Sequence, residues 1–321
     1  MASRRYNHTV TVVIPTFRRP EALSRALESA LAQTVESFTV RVLVVDNDVF
    51  GSARHVCEGR RRVTYVLEPR AGVSHARNTG LANVKSRYVF FLDDDMVAER
   101  GCVESLLSAI TRHDAGVGFA AVQARMPGDT AVEEYMKPFF SRRYDMPEGP
   151  TQECMGAGGT LFDLELCPLP SPAFDPALNA TGGEDDRLLH ILQDRGVTFA
   201  WVPSAHTVEE VPARRATLGY LWKRNFAFGQ GPSQLAADRA LEAESRLAWA
   251  GVAKWMAVGV AQATLRAPAW LFTTLLDLPS RAQAHARLAQ AVGKIFWWGS
   301  FQQVLYGDTP PLHAGEAEKS A

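Results

Sequence analysis

The stretch Arg87-Tyr-Val-Phe-Phe-Leu-Asp-Asp-Asp-Met96 sets an apolar run, Tyr88 to Leu92, directly against three carboxylates, Asp93, Asp94 and Asp95. A run of that length and composition reads as a strand buried on both faces, as in a parallel sheet covered by helices. The acids repel one another and resist desolvation. A fold tolerates them best where solvent or an oxygen-seeking dication stands opposite, at the carboxyl edge where α/β sheets bind ligands. Taken alone, the triple acid reads equally well as a solvated turn.

The segments before it favour the ligand-binding edge. Thr9-Val-Thr-Val-Val-Ile14 is a strand that stops at Pro15-Thr16, and Arg18-Arg-Pro20 leads into a helix over about 21–33, with Leu23, Ala26, Leu27, Ala30 and Leu31 on one face. Val40-Arg-Val-Leu-Val-Val45 ends at Asp46-Asn-Asp48, and Val63-Thr-Tyr-Val-Leu67 ends at Glu68-Pro69. Gly72-Val-Ser-His-Ala-Arg-Asn-Thr-Gly-Leu81 reads as a loop and short helix. Strand, helix, strand, strand, helix, strand indicates a doubly wound, mostly parallel sheet whose strand ends line one crevice. A nucleotide is a natural occupant: Asp46 for a base or ribose, Arg77 for phosphate or base, and the triple acid for a metal bridging a diphosphate. Each residue also has a plainer reading, since Asp46-Asn47-Asp48 is good turn chemistry and Arg77 can simply cap a helix.

After the triple acid, the chain between Phe119 and Phe174 is irregular and rich in Pro and Gly. Met155-Gly-Ala-Gly-Gly-Thr160 is its most distinctive piece, because small residues let a backbone approach a ligand. Tyr135-Met-Lys-Pro-Phe-Phe140 is expected to be a flexible or acceptor-side loop. Gly182-Gly-Glu-Asp-Asp-Arg-Leu-Leu-His-Ile-Leu-Gln-Asp-Arg-Gly196 has acids in its first turn, Leu188, Ile191 and Leu192 on one face, and Gly196 past its end, which predicts a helix. Phe199-Ala-Trp-Val-Pro-Ser-Ala-His206 is expected to be a last strand leading to a His.

The motifs Val13-Ile-Pro-Thr-Phe-Arg-Arg-Pro20, Val44-Val-Asp-Asn-Asp48, Ala76-Arg-Asn-Thr-Gly80 and Phe91-Leu-Asp-Asp-Asp95 keep both order and spacing. Together they resemble the family 2 inverting glycosyltransferases of the GT-A fold, over roughly residues 8 to 210. Val45-Asp-Asn-Asp48, Gly182-Gly-Glu-Asp185 and His206-Thr-Val-Glu-Glu-Val-Pro212 followed by Arg215 look closest to the succinoglycan-type exopolysaccharide β-glucosyltransferases of bacteria. The resemblance implies a UDP-sugar donor, contacted by Pro15, Thr16, Arg18, Asp46, Arg77, Asp93, Asp94, Gly159 and Arg215. It also implies Mg²⁺ or Mn²⁺ held by Asp95, Asp93 and His206, with Asp95 the more direct ligand. The general base falls on Asp185, with Glu184 orienting the acceptor or the base. Asp186 stands directly beside Asp185 where the family has a further acid one residue on, which leaves the base open between the two neighbours. The implied acceptor is a lipid-linked saccharide.

With 321 residues and 46% hydrophobic content there is material for one large α/β domain and an appendage, here 1–211 as the catalytic domain, 212–308 as a helical region and 309–321 as a disordered tail. From Pro212 to Tyr306 eleven Lys and Arg stand against four Asp and Glu, and six of the seven Trp fall there. The apolar runs Trp255 to Leu265 and Ala267 to Leu276 are separated by Arg266, each shorter than the about 20 residues that span a bilayer. They read as interfacial helices that attach the chain to the cytoplasmic membrane surface, peripheral on its inner face. Cys57, Cys102, Cys154 and Cys167 show no CxxC pairing and no apolar signal segment opens the chain, so a reducing, cytoplasmic location is expected. No nucleic-acid partner is expected. Two other classes remain open: a non-catalytic scaffold that retains nucleotide-sugar affinity, which intact Asp93, Asp95 and Asp185 argue against, and a receiver-like phosphoacceptor domain, which would end near residue 120.

Overall fold

The computed structural model describes residues 9–36, 38–179, 182–243 and 246–301; the tail expected from Thr309 lies outside them. Its strands are β1 (Thr9–Thr16), β2 (Thr39–Asp46), β3 (Val63–Leu67), β4 (Tyr88–Phe91), β5 (Met96–Ala98), β6 (Val117–Arg125), β7 (Gly149–Thr151), β8 (Thr160–Asp163) and β9 (Phe199–Glu210). Among them run α1 (Pro20–Leu31), α2 (Arg54–Cys57), α3 (Val73–Asn83), α4 (Cys102–Arg112), α5 (Ala131–Met136) and α6 (Glu184–Asp194); α7 (Leu218–Glu242), α8 (Ala250–Leu275) and α9 (Arg281–Ile295) follow. Residues 9–125 and 140–210 form one compact unit, and 126–139 with 211–301 form a second. The segment 126–139, placed with the first domain by sequence order, thus groups with the C-terminal helices.

In the first unit the sheet order is β3-β2-β1-β4-β8-β6-β9-β5, with β7 on β9. The strands β3, β2, β1 and β4 are parallel, as expected. The other half is mixed: β8 runs against both β4 and β6, and β5 and β7 run against β9. Alternation sends Val10, Val12 and Ile14 of β1 to one face, where Leu23 and Leu27 of α1 and Leu106 and Ile110 of α4 cover them. Val13 joins Phe91, Phe162 and the Leu188 and Leu192 stripe of α6 on the other. Covering both faces explains why these strands are apolar throughout. Each fully buried Leu contributes about 1.5–3 kcal/mol relative to exposure.

The bonds that extend the parallel half past its strands position the site. Leu92 N–H donates to Val13 O, Asn47 N–H to Thr16 O and Glu68 N–H to Asp46 O, which brings the ends of β1, β2 and β4 level. Strand β9 continues past His206, where the sequence suggested its end, to Glu210. Its pairing with β6 jumps from Ala120–Val202 to Ala121–His206, leaving 203–205 unpaired. That excursion begins at Pro203, which has no N–H to give the ladder.

Two expectations are corrected. Tyr135–Phe140 is not a loop: it is the end of α5 and a 3-10 turn, and Thr130 and Glu133 form a reciprocal capping box that starts α5. The two apolar runs on either side of Arg266 are one continuous helix, α8, with Pro268 inside it. Arg266 does not interrupt it, because its guanidinium turns to donate to Arg287 O of α9 at 2.8 Å. Among the described residues no helix is long and apolar enough to cross a membrane. In this second unit α7 and α9 touch backbone to backbone, for a Cβ on Gly229 would stand 2.3 Å from Gln290 O and one on Gly293 2.2 Å from Phe226 O.

Candidate active site

The chain turns immediately after Leu92 and divides the triple acid. Asp94 points inward: its Oδ2 accepts from Thr16 Oγ1 at 2.8 Å and its Oδ1 from Arg19 Nη1 at 3.0 Å. Burial pushes its carboxyl up to about 6, against the pull of Arg19. Asp94 therefore ties the end of β4 to the end of β1. Arg19 Nη1 also reaches Asp95 Oδ2 at 3.0 Å. Asp93 is the most open of the three, with a side chain 34% exposed, and its Oδ1 accepts from Arg77 Nη2 at 3.2 Å. Its Oδ2 lies under Gly158, where a Cβ would stand only 2.6 Å away. Glycine is required there for the backbone to come so close.

Arg77 of α3 joins this edge to the start of α6. Buried against the ring of Phe174 at 5.5 Å, its guanidinium donates to Glu184 Oε1 at 2.5 Å as well as to Asp93. Burial raises the Glu184 carboxyl, and Arg77 opposes that shift. Asp185 follows in the first turn, where a negative charge suits the helix dipole. Its Oδ2 accepts Ala157 N–H at 3.1 Å and its Oδ1 accepts Asp186 N–H at 2.9 Å. Asp185 is thus turned toward the glycine-rich loop, while Asp186 is exposed.

That loop is anchored on both sides. Gly159, with φ of 70°, donates to Phe91 O at 2.9 Å and its carbonyl accepts from Ala120 N. Arg142 holds the loop from beneath, donating to Gly158 O at 2.6 Å and to Thr160 Oγ1 at 3.3 Å. Burial pulls its guanidinium down to about 10, while Asp185, Asp93 and other acids hold it up, so it is charged at neutral pH. Among the described residues no carboxylate comes within ion-pair distance of it. Nothing in the sequence singled out Arg142 or Arg19. The first lies in a stretch without periodicity, and the second is adjacent to the Arg18 that sequence reading preferred.

The remaining expected residues are placed as follows. Asp46 is fully buried, and its oxygens accept from Asp48 N–H, Ala53 N–H and the Tyr65 hydroxyl, so it shapes the β2 turn from inside. Arg18, at φ of 55°, bonds Asp48 at 3.3 Å and stacks on Phe17 and Phe50. Pro15 is buried within β1 opposite Val45. His206 is not brought to the acids. Glu210 N–H meets Asp95 O, whereas His206 O meets Glu99 N–H, four residues away along the β9 strand, or roughly 13 Å at 3.3 Å per residue. Arg215 stands in the 3-10 turn Ala213–Arg215 of the second unit.

Asp93, Asp94, Asp95, Glu184 and Asp185 outnumber Arg19, Arg77 and Arg142 by two charges, an excess that suits one divalent cation. Among the described residues no three acids, His or Cys are grouped as a closed metal cage. Asp93 and Asp95 fit instead a hard ion such as Mg²⁺, which binds through one or two carboxylates plus phosphate oxygens and water. Beside that edge stands a half-buried carboxylate, Asp185, held in place by a backbone N–H. An electrophile between the two would have a charge-stabilising side and a proton-accepting side.

The chain is similar in sequence to known proteins. The model of "Glycosyl transferase family 2" matches residues 11–162. The chain is 32% identical over 237 residues to the succinoglycan biosynthesis protein ExoM of Rhizobium meliloti (strain 1021), covering 72% of this chain and 76% of that protein. It is 39% identical over 124 residues to ExoW, another succinoglycan biosynthesis protein of that strain, covering 35% of this chain and 37% of the relative. Among solved structures, GalNAc-T7 with UDP, GalNAc and Mn²⁺ aligns with a TM-score of 0.48 at 15% identity, over 63% of this chain and 44% of that one.

Proposed function

This chain belongs to glycosyl transferase family 2, and from that premise we propose that it moves a hexose, glucose in the first instance, from a UDP-sugar to a lipid-linked saccharide on the inner face of a bacterial membrane. It is a glycosyltransferase of the GT-A kind, related to enzymes of exopolysaccharide biosynthesis. The observation that supports the finer reading is the Arg77 bridge, which ties Asp93 to Glu184 and so sets the donor-side acids beside Asp185.

In this proposal Asp185 takes the proton from the acceptor hydroxyl as that oxygen attacks the anomeric carbon opposite the departing UDP, giving inversion in one displacement. The Ala157 N–H aims Asp185 toward the glycine-rich loop, and Asp186 is exposed. Glu184 holds Arg77 rather than the acceptor. Gly158 and Gly159 leave the backbone room for the donor sugar. Asp93 and Asp95 would hold Mg²⁺ or Mn²⁺, and the bound ion supplies charge compensation for the diphosphate as it leaves. Asp94 contributes indirectly, by pinning Thr16 and Arg19.

A thermal-shift panel of nucleotide sugars with and without Mn²⁺, followed by turnover on membrane lipid extracts, tests the reading. UDP-sugars should stabilise the protein only with metal, and Asp95→Ala should remove the metal's effect. Equal UDP affinity with and without metal refutes the metal assignment; no shift with any nucleotide sugar refutes the donor.

A further inference from the structure

Helix α8 is unusual for a packed helix: of its 26 residues only Val252 and Gly259 are buried. It leans on α9 through Gly259, where a Cβ would meet Ala291 O at 2.8 Å. On its far side Val260, Leu265, Leu271, Phe272, Leu275 and the adjoining Leu276 are all exposed, Leu265 by 80% and Leu275 by 74%. At about 100° per residue these six fall within an arc of about 160° and make one stripe about 24 Å long. No charge interrupts it. Lys254 precedes the stripe, and Arg266 is turned away to α9. An apolar face of this extent marks a surface that something covers.

The charge balance of the helices that carry it selects the occupant. From residue 246 to 301 the sequence has the bases Arg246, Lys254, Arg266, Arg281, Arg287 and Lys294 against one acid, Asp277, which pairs with Arg281. A second copy seated on the same face would bring two net-basic segments together. A net-basic segment carrying an uninterrupted apolar stripe matches anionic headgroups over acyl chains.

We infer that the outward face of α8 is the surface by which this protein lies on an anionic lipid bilayer, in the plane of the interface. The inference gives a physical surface to the lipid-linked acceptor proposed above, and rests on that reading only for its purpose. Attachment then combines insertion of the stripe with attraction of exposed Lys254 and of the segment's net positive charge to headgroups.

Flotation of the full chain with vesicles of phosphatidylglycerol and phosphatidylcholine, against phosphatidylcholine alone, tests it. The wild type should float with the anionic vesicles at low salt. Raising NaCl from ~0.05 to ~0.5 M, replacing Leu265, Phe272 and Leu275 together by Ser, or omitting the anionic lipid should each lower the bound fraction about ten-fold. Because those three side chains are exposed, the triple variant should melt as the wild type does; Lys254→Gln with Arg287→Gln, which leaves the stripe intact, should lose the preference for anionic vesicles. Failure of the wild type to float at low salt, or equal flotation of the triple variant, overturns the inference. So does a dimer that the triple variant dissolves while no flotation occurs, which assigns the stripe to a second copy. Thermal shifts with UDP-glucose and Mn²⁺ on the same samples separate the two readings. Flotation without a shift counts against the transferase donor alone, and a shift without flotation counts against the lipid surface alone.

Discussion

Arg77→Met removes the cation that Glu184 and Asp93 share while leaving an apolar side chain of similar length over Phe174. The Glu184 side chain is only 6% exposed, so its carboxylate would be left without its cation and nearly out of reach of water, whereas Asp93, at 34%, keeps part of its hydration. Breaking a buried pair by deleting one partner costs about 3–5 kcal/mol, and most of that should fall on Glu184. The loss should depend on pH. Glu184 already sits above its ordinary value of 4.5 because of burial, and without Arg77 it rises further. A carboxyl raised in the folded state favours folding below its unfolded pKa, and that stability is lost as pH rises toward the folded value, at about 1.4 kcal/mol for each pH unit that separates the two values. Urea unfolding followed by circular dichroism should therefore show a gap between wild type and Arg77→Met that is small near pH 5 and widens toward pH 8. Adding Glu184→Gln to the variant should recover stability at pH 8, since the carboxylate that suffered is gone. A gap under about 1 kcal/mol at pH 8, a gap that does not vary with pH, or a further loss on adding Glu184→Gln would refute the assignment of Arg77 as the charge that holds the two halves of the site together.

Three further outcomes are expected. Asp185→Asn should keep UDP-sugar affinity while turnover falls by about 10²–10⁴, and Asp186→Asn should be near wild type; the reverse pattern in the assay would move the base to the neighbour. Gly158→Ala, which puts a Cβ 2.6 Å from Asp93 Oδ2, should weaken metal-dependent UDP binding in calorimetry without lowering the melting temperature of the second unit. Glu68 is held down at about 2, chiefly by its hydrogen bond from Arg70, so the stability it contributes is present above about 4.5 and lost as pH falls toward 2; melting curves for Glu68→Gln should converge on the wild type on acidification.

The strands of the parallel half, the order of the helices and the acids at strand ends were legible in the sequence because each is a local signal. An apolar run that stops at Asp93, or at Asp46, announces a buried strand and its carboxyl edge without any distant partner. The Gly-Gly-Glu-Asp start of α6 was equally local, since acids in a first turn and Gly196 past the end follow from helix geometry alone. The Thr130 to Glu133 capping box was a local signal too, passed over because the whole stretch from Phe119 to Phe174 read as irregular and rich in Pro and Gly.

What only the tertiary structure decided was which of these groups face a ligand and which are used up by the fold. Asp46 and Asp94 read as freely as Asp93 in the sequence, yet their oxygens are filled by Tyr65, Ala53, Thr16 and Arg19. The choice of Arg19 over Arg18 depends on a positive φ at Arg18, which sets adjacent side chains on different partners. His206 was separated from the acids by the antiparallel register of β5 on β9, and Arg77 met Glu184 across 107 residues of chain. The physical reason is common to all of them. Backbone periodicity and strand ends are settled by neighbours a few residues apart, whereas the partner of a charged side chain is settled by desolvation and hydrogen-bond geometry among groups that meet only after the sheet and its covering helices have packed.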